Sequence, residues 1–346
     1  MIPSCTDNAQ PRSSEAIQKV LRGKRILVTG GLGFIGSNLA IELVRCGARV
    51  TIVDLPNGSF GANEFNIETV RGDIQLLDFD IRDSERLAQA AQGCDLIFCL
   101  AGQVSHAESM RQPLLDLDLN CRAQLAILEA CRLQNPTARI VFTSTRQIYG
   151  RPETLPVNEK HPIRPVDVNG ISKLAAEQFY WLYYRLYGIR STCLRLTNTY
   201  GPRMDLRDAS KGFVGVFLAR ALRGQSICIF GDGQQRRDFN HVDDVVDALI
   251  VSGLSEHTGG RIYNLSHPQP YSLLQVTEIL SRLLPVPFEC VPFPPERKAI
   301  DVGDYFGCSR LFQDVTGWQP RIDLPSGLAS TVEFFQQHRH RYLDDG

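Results

Sequence analysis

Three glycines near the start of the chain have the spacing of a dinucleotide-binding turn. Gly30, Gly33 and Gly36 follow the short apolar run Arg25 to Thr29 and open a helical pattern over Phe34 to Cys46. Between a strand and a helix, such glycines allow a tight turn, close approach of the backbone to a pyrophosphate and close helix–strand packing. The free N–H groups and the positive end of the helix then face the phosphates. The pattern therefore predicts a dinucleotide cofactor.

A carboxylate after the next strand indicates which dinucleotide binds. Asp54 lies 18 residues beyond Gly36 and directly follows the predicted strand Ala48 to Val53. A carboxylate in that position accepts hydrogen bonds from the adenosine ribose hydroxyls. Because a carboxylate repels a 2′-phosphate, and no Arg is adjacent, Asp54 favours NAD over NADP.

The elements that must position these residues alternate between strand and helix. Further apolar runs at Asp95 to Leu100 and Arg139 to Thr143 are separated by helical segments at 84–92 and 114–134. Such strands predict a parallel sheet covered on both faces. The fold class is therefore α/β, a Rossmann-type doubly wound parallel sheet with a smaller C-terminal α/β substrate lobe. The expected parts are a polar N-terminal extension at 1–23, a cofactor lobe at 24–196 plus about 238–265, and a substrate lobe at 197–237 plus about 266–346.

Composition excludes several classes of protein. The chain has 346 residues, of which 43% are apolar and 22% charged, which suits a large core and argues against global disorder. A net charge of −1 argues against binding nucleic acid through bulk charge. The sequence has no apolar run of signal-peptide or membrane-span length. Its ten cysteines lack zinc-type spacing. We therefore expect a cytoplasmic protein with reduced thiols and no metal, nucleic-acid or membrane partner.

Several further segments carry a resemblance to a known family. They are Asp80-Ile81-Arg82-Asp83, Leu100-Ala101-Gly102-Gln103, Ser144-Thr145-Arg146-Gln147-Ile148-Tyr149-Gly150, Arg195-Leu196-Thr197-Asn198-Thr199-Tyr200-Gly201-Pro202, and Gly231-Asp232-Gly233 with Arg237-Asp238-Phe239 and Val242-Asp243-Asp244. In order and spacing they resemble the extended short-chain dehydrogenase/reductase family, most closely its nucleotide-sugar epimerases and dehydratases, from about Lys24 to Phe335. The resemblance implies NAD as cofactor, a nucleoside-diphosphate sugar as substrate, and hydride transfer that yields a keto-sugar.

The resemblance also assigns residues to the two ligands. Cofactor contacts would come from Gly30, Gly33, Phe34, Ile35, Gly36, Asp54, Asn57, Asp80, Ile81, Leu100, Ala101, Gly102, Lys173 and Leu196. Substrate contacts would come from Gln103, His106, Arg146, Gln147, Asn198, Arg237 and Asp301. Of these, Asn198 and Arg237 would reach the diphosphate, although Arg237 could instead pair with Asp238 or Asp243. Family members form homodimers through a four-helix bundle, here expected from the helix after Lys173 and the helix near 120–134.

The chain departs from the family at its catalytic pair. The family uses Tyr and Lys spaced as YxxxK, whereas the matching stretch here is Asn169-Gly170-Ile171-Ser172-Lys173, and no YxxxK occurs anywhere in the sequence. An Asn amide forms hydrogen bonds but cannot accept a proton at neutral pH. The expected catalytic residues are therefore Thr145, Lys173 and Asn169. Lys173, Thr145 acting through water, and His106 are all open as the group that replaces Tyr.

The active-site loop disfavours dehydration by the usual route of the family. Its 4,6-dehydratases carry Thr-Asp-Glu where this chain has Thr145-Arg146-Gln147, and decarboxylases keep a Glu at the position of Gln147. Arg cannot serve as the acid, nor neutral Gln as the base. The sequence thus favours epimerisation through a transient keto-sugar. The alternatives are another keto-sugar reaction, such as a reduction or a different deprotonation, and a non-catalytic protein that binds NAD or a nucleotide sugar.

Overall fold

Seven parallel strands form the central sheet. The computed structural model describes residues 13–56, 60–207, 212–294 and 301–343. Its strands in chain order are β1 (Arg25–Thr29), β2 (Arg49–Asp54), β3 (Ile74–Asp78), β4 (Leu96–Cys99), β5 (Arg139–Thr145), β6 (Arg190–Leu196), β7 (Asn198–Tyr200), β8 (Ile227–Phe230), β9 (Arg236–Arg237), β10 (Phe239–His241), β11 (Arg261–Leu265), β12 (Tyr271–Ser272) and β13 (Phe288–Val291). The central sheet has the order β11-β6-β5-β4-β1-β2-β3, with every neighbouring pair parallel. The predicted Rossmann-type α/β fold is confirmed.

Helices pack on both faces of this sheet and also outside it. They are α1 (Glu15–Leu21), α2 (Phe34–Arg45), α3 (Ser84–Ala91), α4 (His106–Arg111), α5 (Pro113–Leu117), α6 (Ala123–Gln134), α7 (Val168–Tyr187), α8 (Phe213–Leu222), α9 (Val242–Leu254), α10 (Leu273–Leu283), α11 (Arg310–Thr316), α12 (Leu324–Gln337) and α13 (Arg339–Tyr342). Successive residues of β1 point to opposite faces, so Ile26 and Val28 join the core beneath α2 and α9, while Leu27 joins the core beneath α3, α6 and α7. Among the described residues, no helix combines the length and apolar character needed to cross a membrane.

The helix predicted over 114–134 is interrupted. It consists of α5, a π turn at Asp118–Arg122, and α6. The π turn places Asn120 inward, where the side chain is fully buried and donates to the backbone carbonyl of Gln103. A π turn inside a helix often marks a functional site.

A second hydrophobic cluster lies outside the sheet. It is formed by α8, α10 and α12, whose Leu218, Val276 and Leu328 are each fully buried. Two helices that the sequence analysis placed outside the cofactor lobe pack against the core of the central sheet. Leu21 of α1, from the predicted N-terminal extension, and Phe312 of α11, from the predicted substrate lobe, are both fully buried there. The division into two lobes itself stays a prediction.

Candidate active site

A cavity of about 440 Å³ opens where the central strands end at their carboxyl side. Strand order reverses between β1 and β4, the place where open parallel sheets bind ligands. Twenty residues predicted for the site line this cavity. They are Gly30, Gly33, Phe34, Ile35, Gly36, Asp54, Asp80, Ile81, Leu100, Ala101, Gly102, Gln103, His106, Thr145, Arg146, Gln147, Asn169, Lys173, Leu196 and Asn198. Their individual roles stay predictions.

The glycine turn packs too closely against neighbouring backbone to hold a side chain at Gly30 or Gly36. Gly30 has φ +74°, and a Cβ there would lie 2.7 Å from the backbone N of Ala101. A Cβ on Gly36 would overlap the carbonyl oxygen of Gly30. Helix α2 begins at Phe34 directly above this turn. Its first N–H groups therefore stand at the cavity, and the cradle fits a dinucleotide pyrophosphate.

Two of the predicted cofactor contacts are carboxylates that line the cavity. The Asp54 carboxylate accepts hydrogen bonds from Leu32 N and Leu55 N, both at 2.8 Å, so it also fixes the glycine turn. Burial raises the pKa of Asp54, and the two amides oppose that rise. Asp80 accepts two hydrogen bonds from the Arg82 guanidinium, at 3.0 and 2.7 Å, which lower the pKa of its carboxyl.

Lys173 is buried at the centre of the site. Its ammonium donates to the carbonyl oxygen of Thr143 at 2.9 Å and lies 4.7 Å from the centroid of the Phe142 ring. Burial lowers the pKa of Lys173 to about 8, and the negative charge of Asp116 acts in the opposite direction. The lysine can therefore exchange a proton near neutral pH more readily than an exposed lysine.

Asn169 belongs to a buried network of amides around one carboxylate. Its Nδ2 donates to Gln103 O at 2.7 Å and to Asp116 Oδ2 at 3.2 Å. Asn120 Nδ2 donates to the same two acceptors, at 2.9 and 3.0 Å. Asp116 itself is fully buried and does not line the cavity. Sequence reasoning missed Asp116 and Asn120, because nothing in their local pattern shows that a π turn brings them to Asn169.

The loop after β5 presents two side chains in the cavity. Thr145 Oγ1 accepts a hydrogen bond from Gln147 N at 3.2 Å. The Arg146 guanidinium lies 4.7 Å from the centroid of the Tyr305 ring and donates to Gln147 Oε1 at 3.3 Å. The loop therefore offers a hydroxyl and a cation side by side.

A histidine that lines the same cavity contacts the start of α7. His106 Nδ1 lies 2.9 Å from Oδ2 of Asp167, the N-cap residue of α7. Asp167 was not predicted, although an Asp three residues before Gly170 at a helix start is the usual sign of an N-cap.

Of the two predicted diphosphate contacts, Asn198 lines the cavity and Arg237 is buried outside it. Asn198 lines the cavity, and its Nδ2 donates to Asp238 O at 2.9 Å. Arg237 and Asp301 do not line the cavity. Arg237 forms an ion pair with Asp301 at 3.5 Å, and not with Asp238 or Asp243 as the sequence analysis suggested. Burial, followed by the nearby positive charge of Arg146, lowers the pKa of Arg237 to about 10. Asn57, the remaining predicted contact, lies outside the described residues.

The fold and this cavity define a dinucleotide-binding protein of the Rossmann class. Residues 26–266 match the NAD dependent epimerase/dehydratase family. The chain belongs to this family, and its cofactor is NAD. Within the described residues, no group of three or more His, Cys, Asp or Glu side chains stands ready to hold a metal ion.

Relatives in this family catalyse more than one reaction. The putative UDP-glucose 4-epimerase of Methanocaldococcus jannaschii is 31% identical over 319 residues, which is 90% of this chain and 99% of the relative. The UDP-glucuronic acid decarboxylase 1 of Xenopus tropicalis is 30% identical over 327 residues, 91% of this chain and 72% of the relative. The structure of Thermus thermophilus UDP-glucose 4-epimerase with NAD superimposes with a TM-score of 0.79 at 29% identity, over 90% of this chain and 99% of that one.

Proposed function

We propose that the protein epimerises a nucleoside-diphosphate sugar through a transient keto-sugar. The observation that carries this proposal is one continuous cavity lined by the glycine turn, Lys173, Thr145 and Asn198. Cofactor, reacting hydroxyl and diphosphate would thus share a single space. Similarity to UDP-glucose 4-epimerases along nearly the whole length of the relatives supports the same reaction class.

The described residues fit NAD. The glycine turn and the N-terminus of α2 would hold the pyrophosphate, Asp54 the adenosine ribose, Asp80 and Ile81 the adenine, and Lys173 the nicotinamide ribose. When bound, NAD supplies the oxidation of a sugar carbon and its later reduction. Thr145 would donate or accept a hydrogen bond at the reacting hydroxyl, and Leu100, Ala101, Gly102 and Leu196 would form the apolar floor of the nicotinamide site.

Asn169 would stand where the family carries its catalytic Tyr. Both hydrogens of its amide are engaged by Gln103 O and Asp116 Oδ2, so the carbonyl oxygen is the group it can offer to a substrate hydroxyl. An amide oxygen orients the hydroxyl without accepting its proton. The usual dehydratase and decarboxylase chemistry is disfavoured, because Arg146 and Gln147 supply neither acid nor base there.

Substrate recognition would extend from the cavity into the smaller lobe. We propose that Gln103, His106, Arg146 and Gln147 contact the sugar. Asn198, Arg237 and Asp301 would contact the nucleotide half. For Arg237 and Asp301 this requires the ligand to replace the contact that the two side chains now make with each other.

We further propose a cytoplasmic homodimer of two-lobed subunits. Helix α7 carries exposed apolar side chains that a partner would cover, among them Trp181, Leu186 and Tyr187. Such a patch is typical of an interaction surface. Free thiols at all nine described cysteines fit a reducing compartment.

Mass spectrometry of NAD-loaded protein with UDP-, GDP-, CDP-, ADP- and dTDP-sugars tests the function. Products are separated from their epimers, and Lys173→Met serves as the inactive control. An isomer of unchanged mass that is absent with Lys173→Met supports epimerisation. Loss of carbon dioxide or water from the sugar would show that the reaction is a decarboxylation or a dehydration and not an epimerisation. Tight binding of a sugar nucleotide without any product would show that the protein has a binding function.

A further inference from the structure

A histidine and an aspartate meet beside Asn169. His106 is the first residue of α4 and lines the cavity, and its buried Nδ1 lies 2.9 Å from Asp167 Oδ2, a contact at ion-pair distance that lacks the geometry of a hydrogen bond. The Asp167 side chain is only 3% exposed. Its other oxygen accepts a hydrogen bond from Gly170 N at 2.7 Å. The carboxylate is therefore held by the start of α7, and Nε2 is the ring nitrogen of His106 that does not contact it.

We propose that His106 is the proton acceptor of the reaction and that Asp167 positions it, an inference that rests on the proposed function. As the sugar alcohol becomes a ketone, its O–H bond breaks and an Nε2–H bond forms. The carbon loses its hydride to the cofactor, and both hydride and proton return in the second half of the reaction. No external oxidant or reductant is consumed. Once Nδ1–H donates to Asp167, the carboxylate would hold the imidazole in the tautomer that leaves Nε2 free and would stabilise the imidazolium that forms.

The loop that carries His106 is tied to the residue it would assist. Gln103 O accepts from Asn169 Nδ2 at 2.7 Å, and Gln103 Oε1 accepts from Ser105 N. Ser105 Oγ in turn caps α4 by accepting from Glu108 N at 3.3 Å. Two contacts, at Asn169 and at Asp167, therefore attach this loop to the first turn of α7. His106 and Asn169 both line the cavity.

Other groups near Asn169 are less suited to accept the proton. Asp116 is fully buried behind Asn169 and does not line the cavity, so it has no direct path to a substrate. Lys173 directs its ammonium at the Thr143 carbonyl oxygen. Thr145 offers a hydroxyl, which can relay a proton but not keep it. The imidazole of His106 lines the cavity and belongs to a side-chain type that exchanges protons near neutral pH.

Kinetics of two variants test the two roles. With His106→Gln, we expect kcat to fall about 10²- to 10⁴-fold, the usual worth of a general base, while KM changes less than about threefold. With Asp167→Asn, the N-cap is preserved because Asn caps helices as well as Asp, yet kcat falls by roughly 10²-fold because the carboxylate at Nδ1 is lost. Added imidazole should restore part of the activity of His106→Ala. Asp323→Asn is the matched control: Asp323 caps α12 through Ser326 N at 2.8 Å, and its variant should keep wild-type kcat.

Nitrogen NMR supplies a readout that does not depend on turnover. In ¹⁵N-histidine-labelled, NAD-loaded protein, the signal that disappears in His106→Gln identifies His106. The neutral form of the ring should carry its proton on Nδ1, and the Nε2–H form should gain population in Asp167→Asn. A neutral wild-type ring that carries its proton on Nε2 would refute the proposed pairing of His106 with Asp167.

The outcomes separate the two proposals. An active wild type whose kcat survives in His106→Gln overturns the proton role and leaves epimerisation standing. A wild type that epimerises none of the nucleotide sugars overturns the proposed function, and the proton role with it.

Discussion

Replacing Lys173 by Met should stabilise the protein while removing its activity. The pKa of Lys173 lies at about 8 instead of 10.5, because burial disfavours its charge. At about 1.36 kcal/mol per pKa unit, the charged lysine costs the folded state about 3 kcal/mol at pH 7. Met has a similar length and no charge, but it loses the hydrogen bond to Thr143, worth about 1 kcal/mol. The net gain in unfolding free energy is therefore about 2 kcal/mol.

The pH dependence of that gain follows from the direction of the pKa shift. Below about pH 8 the folded wild type carries the full cost of the buried charge. Between pH 8 and 10.5 the lysine loses its proton in the folded state before the unfolded state does, so the cost fades as pH rises. The advantage of Lys173→Met should accordingly be complete at pH 7 and nearly gone at pH 10 to 10.5.

Calorimetry of the NAD-free protein at pH 7 and at pH 10 checks this reasoning. With an unfolding entropy of about 2.1 cal/mol/K per residue, 2 kcal/mol corresponds to a rise in Tm of about 3 °C for this chain. Lys24→Met is the matched control, because Lys24 is 41% exposed and its ion pair with Asp95 is a surface pair worth about 0–1 kcal/mol. A lower Tm for Lys173→Met at pH 7, or a gain that persists unchanged at pH 10, would refute the reasoning.

Three further predictions concern the cofactor, the core and the sugar. Gly30→Ala should weaken NAD binding at least about tenfold by calorimetric titration, because its Cβ would press on Ala101. Gly188→Ala is its control, since Gly188 has a similar φ of +70° with nothing within 4 Å of the added Cβ. Glu177→Gln should lower the unfolding free energy in urea by about 3–5 kcal/mol, because it leaves Arg195 as a buried unpaired cation, and a loss below 1 kcal/mol would contradict this. Arg146→Ala should raise KM for the sugar nucleotide about tenfold or more with a smaller change in kcat, and an unchanged KM would remove Arg146 from the substrate contacts.

The parts of the site that could be predicted are those fixed by local pattern. The glycine turn and Asp54 follow from spacing alone, since a strand, a turn and a helix place them without help from the rest of the chain. β3 was not anticipated because its outer face is partly exposed and it lacks a continuous apolar run. The partners of Asn169 could not be predicted either. Asp116 and Asn120 reach it only because α5 and a π turn cross the start of α7, and sequence spacing does not report that crossing.

Arg237 illustrates a different limit of sequence reasoning. Its motif predicts a residue type suited to a diphosphate, but not whether the side chain faces the cavity. In the structure it is buried, contacts Asp301 and donates to backbone carbonyl groups of Arg236 and Gly303. The sequence shows that position 237 is an arginine, but the partner of that arginine depends on packing between segments that are distant in the chain.

The amide network around Asp116 constrains how this site can change by single substitutions. A Tyr at position 169 would lack the two N–H donors that Asn169 directs at Gln103 O and Asp116 Oδ2. Among the described residues, Asp116 would keep only Asn120 as a side-chain donor while remaining fully buried. Acquiring the phenol would therefore be costly until position 116 also changes to a residue without a charge. The side chains at positions 116 and 169 should therefore vary together across descendants of this chain, and selection should disfavour a tyrosine at position 169 for as long as position 116 is an aspartate.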